Sequence, residues 1–460
     1  MTRERKARFA YLASRLGVVA ADAAAVAASY FAAFFMRLDF QEPSFGWRRV
    51  ASSCVVVCAV HVVSLFLLGC HALAWRRTKI SDCPRYVAAC ALSCAILTAM
   101  RFALGDYSFA GCRPPYSVTL MTFLVASVAL IAMRMIWRLH VDSRSAAESG
   151  TGRDEATFDN TVAARFLSGR VVMVTGAGGS IGSELSMQIA AAGAAKVILV
   201  ERCENALYEI DRRLGLCGFR QRVASVMADC GDAARMKAVF EAEKPSVIVH
   251  AAACKHVPMV ELNPEEGWRN NVEATRTMAG LARDFGVERF VLISTDKAVN
   301  PVSVMGKTKL AAEGVVMSMN GGATSFCAVR FGNVFGSSGS VVPLFREQIA
   351  AKRPVTVTHP DMKRYFMTVR EAVSLVLQAA SRSERAIYTL DMGEPVKILD
   401  LAERLISLAG YRPYVDVPIE FIGIRPGEKL FEEIDVSEKS AFKTDMAKIY
   451  VTKAGGTACS

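Results

Sequence analysis

Four apolar runs crowd into the first 140 residues, and they constrain the fold more than any other feature of the chain. Leu16–Met36 carries one charge, Asp22. Ala51–Ala74 holds 24 residues without Asp, Glu, Lys or Arg, and Pro114–Met133 gives 20 uncharged residues. Tyr86–Met100 is shorter and extends through Phe102–Leu104 if Arg101 snorkels to an interface. A bilayer span needs about 20 predominantly apolar residues, so the pattern predicts four transmembrane helices. The first run is not read as a signal peptide, because three more runs follow it without a convincing cleavage site.

Charge follows the same division. Residues 1–140 hold 16 Lys and Arg against 6 Asp and Glu, whereas residues 141–460 hold 39 against 38. The overall excess of +11 therefore belongs almost wholly to the apolar segment, and nucleic-acid binding loses its main support. Within that segment the basic residues favour one side. They are Arg3, Arg5, Lys6, Arg8 and Arg15 before the first run, Arg76, Arg77, Lys79 and Arg85 in the second loop, and Arg134, Arg138 and Arg144 after the last run. The first and third loops mix signs. Four spans with both ends inside satisfy this bias, which places everything after residue 140 in the cytoplasm.

Asp22 is the one acid at membrane depth, and a polar contact between helices is the reading favoured for it over a functional one. His61 and His71 receive no role. Of the 13 cysteines, seven (Cys54, Cys58, Cys70, Cys83, Cys90, Cys94, Cys112) lie in or beside apolar runs and none forms a Cys-x-x-Cys pair. Neither a zinc site nor a disulfide framework is indicated, and no metal is expected. Residues 141–168 mix charge, Ser and Gly without an apolar period, which predicts a linker with a short helix near its end.

The alternation of elements changes at Arg170. Arg170–Thr175 reads as a buried strand, Gly176-Ala177-Gly178-Gly179-Ser180-Ile181-Gly182 as a glycine turn, and Ser183–Ala192 as a helix. That order is the context a phosphate-binding loop requires. Gly176 permits the turn, Gly179 lets backbone approach a pyrophosphate, Gly182 lets helix and strand pack, and the helix N-terminus faces the anion together with Ser180 and Ile181. A second strand, Lys196–Val200, ends in Glu201, whose carboxylate suits the ribose hydroxyls of NAD. Arg202 beside it suits the 2′-phosphate of NADP. Asp229, after the strand Val223–Met227, is a candidate for the adenine side or a plain loop residue.

The pattern continues with strands at Ser246–His250, Arg289–Ile293 and Thr324–Arg330 and helices at Pro264–Phe285 and Ser303–Ser318. This predicts a doubly wound parallel sheet with ligands at the carboxyl ends of its strands. Those ends carry Ala251-Ala252-Ala253, Ser294-Thr295-Asp296-Lys297 and Phe331-Gly332-Asn333.

The segments T-G-A-G-G-S-I-G, H-A-A-A-C-K-H-V-P, S-T-D-K-A-V-N-P, M-G-K-T-K and R-F-G-N-V-F-G-S, in that order, resemble the extended short-chain dehydrogenase/reductases. More narrowly, residues 165–455 are similar to the membrane-anchored UDP-N-acetylglucosamine 4,6-dehydratases of bacterial polysaccharide and glycan synthesis. The resemblance implies an α/β Rossmann-type core over about 169–335 and a smaller substrate-binding part over about 336–455. A four-helix anchor (1–140) and the linker (141–168) precede them, in a multi-pass protein of the bacterial inner membrane. Relatives of this type carry a further nucleotide-binding-like domain between anchor and catalytic domain, where this chain has only the linker.

The resemblance also implies the chemistry. NAD, with NADP also compatible, would be recycled within each turnover of a UDP-N-acetylhexosamine. Lys297 would be the base for the carbon-5 proton and Asp296 the acid for the leaving hydroxyl, each with its proton affinity shifted by burial. Taken alone, an adjacent Asp and Lys is more often an exposed loop pair. The usual Tyr-x-x-x-Lys of this fold is replaced by Met305 and Lys309, four apart on one helix face. Lys309 would still hold the nicotinamide ribose, and Ala251 and Ala252 would line the cofactor. Met305 cannot exchange a proton and is otherwise a core filler, so Thr295 is expected to orient the carbon-4 hydroxyl. Substrate contacts are expected from Lys255, His256, Asn333, Val342 (in Ser340-Val341-Val342-Pro343), Arg364, Arg425 and Glu428. A homo-oligomer is expected, with the lipid bilayer as the other partner. A UDP-sugar epimerase on the same scaffold and a catalytically silent nucleotide-binding scaffold remain the alternatives.

Overall fold

The computed structural model describes residues 3–38, 47–70, 82–103, 114–149, 161–433 and 441–452. The chain divides into two compact units, residues 1–154 with 406–417, and residues 155–405 with 418–460.

The first unit contains helices α1 (Arg3–Arg37), α2 (Trp47–Leu67), α3 (Cys83–Ala103) and α4 (Tyr116–Ser149). Each includes a stretch long and apolar enough to cross a membrane: Leu16–Arg37, Val50–Leu67, Cys83–Ala103 and Tyr116–Trp137. α1 packs on α2 and α4, and α3 on the same two, so the bundle closes around Val26, Tyr30, Leu65, Tyr86 and Leu130. Asp22 meets Arg134 across α1 and α4 at 2.8 Å, both side chains almost wholly buried. Arg134 also donates to the Leu130 carbonyl and stacks over the Tyr86 ring at 4.3 Å. The polar interhelical contact expected of Asp22 is therefore present, while Arg134 is not the loop cation that the charge count took it for. Its guanidinium lies inside the bundle because Asp22 and the aromatic face of Tyr86 are there to receive it. α4 runs nine residues into the stretch read as linker, since Ser143–Ser149 offers Ala, Arg and Glu and no breaker before Gly150. His71, Cys112, Arg76, Arg77 and Lys79 lie outside the described residues.

The second unit opens with α5 (Thr161–Leu167) and then alternates strand and helix. In order come β1 (Val171–Thr175), α6 (Ser180–Ala191), β2 (Lys196–Glu201), α7 (Glu204–Leu216), β3 (Val223–Met227), α8 (Ala233–Glu243), β4 (Val247–His250), α9 (Val257–Leu262), α10 (Pro264–Trp268), α11 (Ala274–Asp284), β5 (Arg289–Thr295), α12 (Val304–Ser318) and β6 (Ser325–Phe331). The sheet order is β3-β2-β1-β4-β5-β6, continued by Ile387–Leu390, Ile449–Thr452 and Ala441–Lys443. All pairings from β3 to Ile387–Leu390 are parallel, and the last two strands join antiparallel.

Two-residue periodicity divides the core. Val172, Val174, Val197 and Leu199 face one layer with Leu185 and Ile189 of α6, while Met173, Ile198 and Val200 face the other with Phe240 of α8 and Met278 of α11. A parallel sheet is covered on both faces, which is why these strands read as unbroken β-branched runs. β1 pairs β2 on one side and β4 on the other, so the chain reverses its winding there and a crevice opens at the carboxyl ends.

Three elements differ from the sequence expectation. α6 begins at Ser180, inside the glycine turn, and β5 continues through Ser294 and Thr295. The single helix expected over Pro264–Phe285 is interrupted by a π turn at Arg269–Glu273. There Asn271 is buried and holds the 254 loop by both amide groups, accepting from Cys254 N (2.7 Å) and donating to Cys254 O (3.0 Å) and Thr308 Oγ1 (2.9 Å). Such local widening often marks functional sites.

Candidate active site at the carboxyl ends of the strands

The glycine turn is shaped by contacts a side chain would destroy. Gly176 has φ +63°, and a Cβ there would stand 2.8 Å from Ala252 backbone. A Cβ on Gly182 would stand 2.0 Å from the Gly176 carbonyl oxygen, so α6 begins directly against the turn. Gly179 is the N-cap of α6 and supplies no side-chain cap, which leaves the first N–H groups of a 12-residue helix for an anion. Gly178, not singled out in the sequence, packs on Ala206 of α7 and donates its N–H to Glu201 Oε2 at 3.1 Å. The other Glu201 oxygen accepts from Arg202 N and Cys203 N, both at 3.0 Å, so the carboxylate stands fixed beside the turn. Arg202 is exposed. Asp229 caps its own loop by accepting from Gly231 N at 2.8 Å. The cradle, the uncapped helix start and the fixed carboxylate fit the pyrophosphate and ribose of a dinucleotide.

Ala251 and Ala252 lie against this turn, Ala252 donating to Thr175 Oγ1 at 3.3 Å. Behind them His250 is wholly buried between Thr175 Oγ1 (2.7 Å) and Thr275 Oγ1 (3.1 Å). Burial, aided by the nearby Lys309, pushes its pKa down to about 3, so the ring is a neutral spacer. Nothing in the sequence distinguished it from an ordinary strand residue.

The end of β5 carries the candidate reactive groups. Asp296 is buried, and its Oδ1 accepts from Lys297 Nζ at 3.0 Å and from Thr295 Oγ1 at 2.8 Å. Its Oδ2 is also buried and, among the described residues, has no hydrogen-bond partner. Lys297 Nζ donates further to Asn333 Oδ1 at 3.3 Å and lies 3.5 Å from Glu432 Oε1. Burial pulls the Lys297 pKa down, but the carboxylates of Asp296 and Glu432 outweigh it and the net direction is up. This corrects the expectation that burial alone would free the amine: the second carboxylate, 135 residues away in sequence, was invisible to motif reading. Thr295 spends its hydroxyl proton on Asp296, so it acts on the acid first.

Lys309 is buried and donates to the Ile293 carbonyl at 2.7 Å, with its pKa lowered to about 8 by burial against the opposing pull of Glu313. Glu313, one turn on, takes a two-pronged bond from Arg330 (2.8 and 2.5 Å) and a third from Ser294 Oγ. This buried network ties β5, β6 and α12 together beneath the reactive pair, and it too escaped the sequence reading. Met305 is 3% exposed. It is buried with Val257 and Val260, the core-filling alternative stated for it.

The substrate candidates separate. Lys255 Nζ donates to the Ser338 carbonyl at 2.7 Å while Ser338 N donates to Ser180 Oγ at 3.0 Å, so the 336–339 loop bridges the glycine turn and the 254 loop. Burial lowers the Lys255 pKa, and burial plus Lys255 lowers that of His256, whose ring lies against Gly339. Asn333 lies at Lys297, as above. Val342 is wholly buried on the helix Val341–Ala350. Arg364 is likewise turned inward. Its guanidinium donates to the carbonyls of Lys363, Lys429 and Leu430 and lies 3.6 Å from Glu432. Arg425 is exposed in the turn closed by Glu428 N on Arg425 O at 3.1 Å, and Glu428 Oε2 is buried without a partner among the described residues.

Comparison with known proteins agrees with this architecture. The family model described as "Polysaccharide biosynthesis protein" matches residues 172–454. The capsular polysaccharide biosynthesis protein CapD of Staphylococcus aureus is 50% identical over 287 residues, 62% of this chain and 48% of that protein. The chain spans about half the length of the first curated relatives it matches. A UDP-N-acetylglucosamine 4,6-dehydratase (inverting) of Campylobacter jejuni is 29% identical over 62% of this chain and 83% of its own. Among solved structures, Pen from Bacillus thuringiensis superposes with a TM-score of 0.58 at 28% identity, covering 62% of this chain and 90% of that one.

Proposed function

The chain belongs to the polysaccharide biosynthesis protein family, and from that membership we propose that it is a membrane-anchored 4,6-dehydratase of UDP-N-acetylglucosamine or a related UDP-N-acetylhexosamine. Residues 1–140 would be the anchor, 141–168 the link and 169–460 a cytoplasmic catalytic domain, assembled as a homo-oligomer and serving surface polysaccharide synthesis. The observation that carries this reading is the Lys297–Asp296 pair at 3.0 Å, its carboxylate buried and its ammonium partly so, on a strand end of a dinucleotide-binding sheet.

Bound NAD would supply the hydride acceptor for carbon 4 of the sugar and give the same hydride back to carbon 6. The residues do the rest. Oxidation at carbon 4 would release the hydroxyl proton to solvent and acidify the carbon-5 hydrogen. That hydrogen would pass to the Lys297 amine as the carbon-6 hydroxyl leaves with a proton from Asp296, releasing one water. The Lys297 ammonium would then protonate carbon 5 as the hydride arrives at carbon 6, and a solvent proton would restore the resting pair. At rest the pair is an ammonium and a carboxylate. Moving one proton along the 3.0 Å bond from Lys297 Nζ to Asp296 Oδ1 gives the amine and the acid that elimination needs, with no net exchange with solvent. Asp296 Oδ1, which receives that proton, gives it to the leaving hydroxyl, while Oδ2 is buried with no hydrogen-bond partner among the described residues. Lys309 holds its place through the Ile293 carbonyl, where its ammonium suits the nicotinamide ribose.

Incubation of the purified protein with UDP-N-acetylglucosamine in deuterium oxide tests the reading. The expected product has lost one water and carries deuterium at carbon 5. Deuterium uptake without loss of water would favour an epimerase instead, and no mass change at all would favour a silent scaffold.

A further inference from the structure

Glu432 has no place in the chemistry above, yet its carboxylate is one of the most deeply buried in the catalytic unit, with its side chain 4% exposed. Burying a carboxylate costs several kcal/mol unless cations or donors repay it. Two cations flank this one, Lys297 Nζ at 3.5 Å and Arg364 Nε at 3.6 Å. Compare the Glu313–Arg330 pair, whose bonds of 2.5–2.8 Å mark a purely structural lock. Glu432 stands farther from both neighbours, at ion-pair rather than hydrogen-bond distance.

Its placement is deliberate in the fold. The strand Lys363–Arg364 bridges Phe431, and the Arg364 guanidinium holds the Lys429 and Leu430 carbonyls at 2.7 and 3.1 Å. These bonds lay residues 429–431 along the strand and turn the next side chain inward. Charges then alternate from Asp296 through Lys297 and Glu432 to Arg364. The same segment begins with Arg425 and Glu428 in Arg-Pro-Gly-Glu-Lys.

Resting on the reading of Lys297 as the base, we propose that Glu432 is a positioning residue: aimed by Arg364, its carboxylate holds the Lys297 ammonium beside Asp296 and links that base to the 425–432 segment. It takes no proton from the sugar. The charged groups that face Lys297 are Asp296, Glu432 and, beyond it, Arg364. Removing the negative charge of Glu432 leaves one carboxylate instead of two to retain the ammonium proton, so Lys297 gives it up at lower pH.

Glu432→Gln tests this in the full-length protein by two readouts. Competitive acetylation of lysines across pH, mapped by mass spectrometry, reports the midpoint of Lys297 without any need for turnover. The midpoint should fall, with Lys297 labelled about tenfold faster than in wild type near pH 8, while Glu432→Asp should keep it near the wild-type position. With UDP-N-acetylglucosamine, kcat should drop by about 10- to 100-fold and KM should stay within about twofold, the mark of a misplaced base. An unchanged labelling midpoint in Glu432→Gln would overturn the inference, and so would a moved midpoint with unaltered kcat. A wild-type protein that never dehydrates the sugar, yet shows the midpoint shift, would remove the proposed function while upholding the hold of Glu432 on Lys297.

Discussion

Lys297→Met should abolish dehydration, with turnover falling by about 10³-fold or more, because among the described residues no other amine is paired with Asp296 to accept a carbon-bound proton. The variant also places the Asp296 and Glu432 carboxylates near each other without the cation they share, 3.0 and 3.5 Å from Nζ in the wild type. One of them should then take up a proton, so the fold survives at moderate cost. Asp296→Asn should be nearly as damaging to turnover, since an amide cannot release a proton to the leaving oxygen even though its carbonyl can still accept from Thr295. Dinucleotide content, read by absorbance of the released cofactor, should be unchanged in both. Steady-state product formation by mass spectrometry checks the rates, and a Lys297→Met protein retaining a tenth of wild-type turnover would disprove the assignment of the base.

Gly182→Val should be equally severe by a different route. Its Cβ would stand 2.0 Å from the Gly176 oxygen and 2.7 Å from the Gly176 carbonyl carbon, backbone atoms that cannot swing aside. The start of α6 must then leave the turn, and the N–H groups lose their common aim at the pyrophosphate. The expected outcome is a protein that purifies without bound dinucleotide and turns over at below about a thousandth of the wild-type rate. Gly280→Ala on α11 is the matched control: nothing lies within 4 Å of its added carbon, so it should be neutral or gain up to about 1 kcal/mol. Cofactor content and thermal unfolding of both variants, measured side by side in detergent, separate loss of the cradle from general instability.

Much of this was legible because local chemistry and global fold agree. The strand, glycine turn and helix at 170–192 announced the crevice, since only glycine tolerates the approaches at Gly176 and Gly182. Alternating β-branched runs gave the parallel sheet, and charge-free runs gave four helices long enough for a bilayer. What stayed hidden depends on distance in sequence. Glu432 meets Lys297 only after the segment 429–431 is laid on the strand Lys363–Arg364, and no periodicity encodes that docking. Arg330 and Glu313 looked like ordinary charges on a strand and a helix until the fold buried them together. The resemblance implied a substrate contact for Arg364, and the Lys429 and Leu430 carbonyls that its guanidinium meets lie 65 and 66 residues away in sequence. Arg134 was counted as a loop charge because its partner, Asp22, lies 112 residues earlier.

In the proposed dehydration, the hydrogen removed from one carbon of the sugar is restored to another within the same site. UDP-N-acetylglucosamine carrying deuterium at carbon 4 tests this directly. The product should be a 4-keto-6-deoxy sugar with the deuterium at carbon 6, one label per molecule, without added reductant. A product lacking that label, or one formed only when external NADH is supplied, would contradict it.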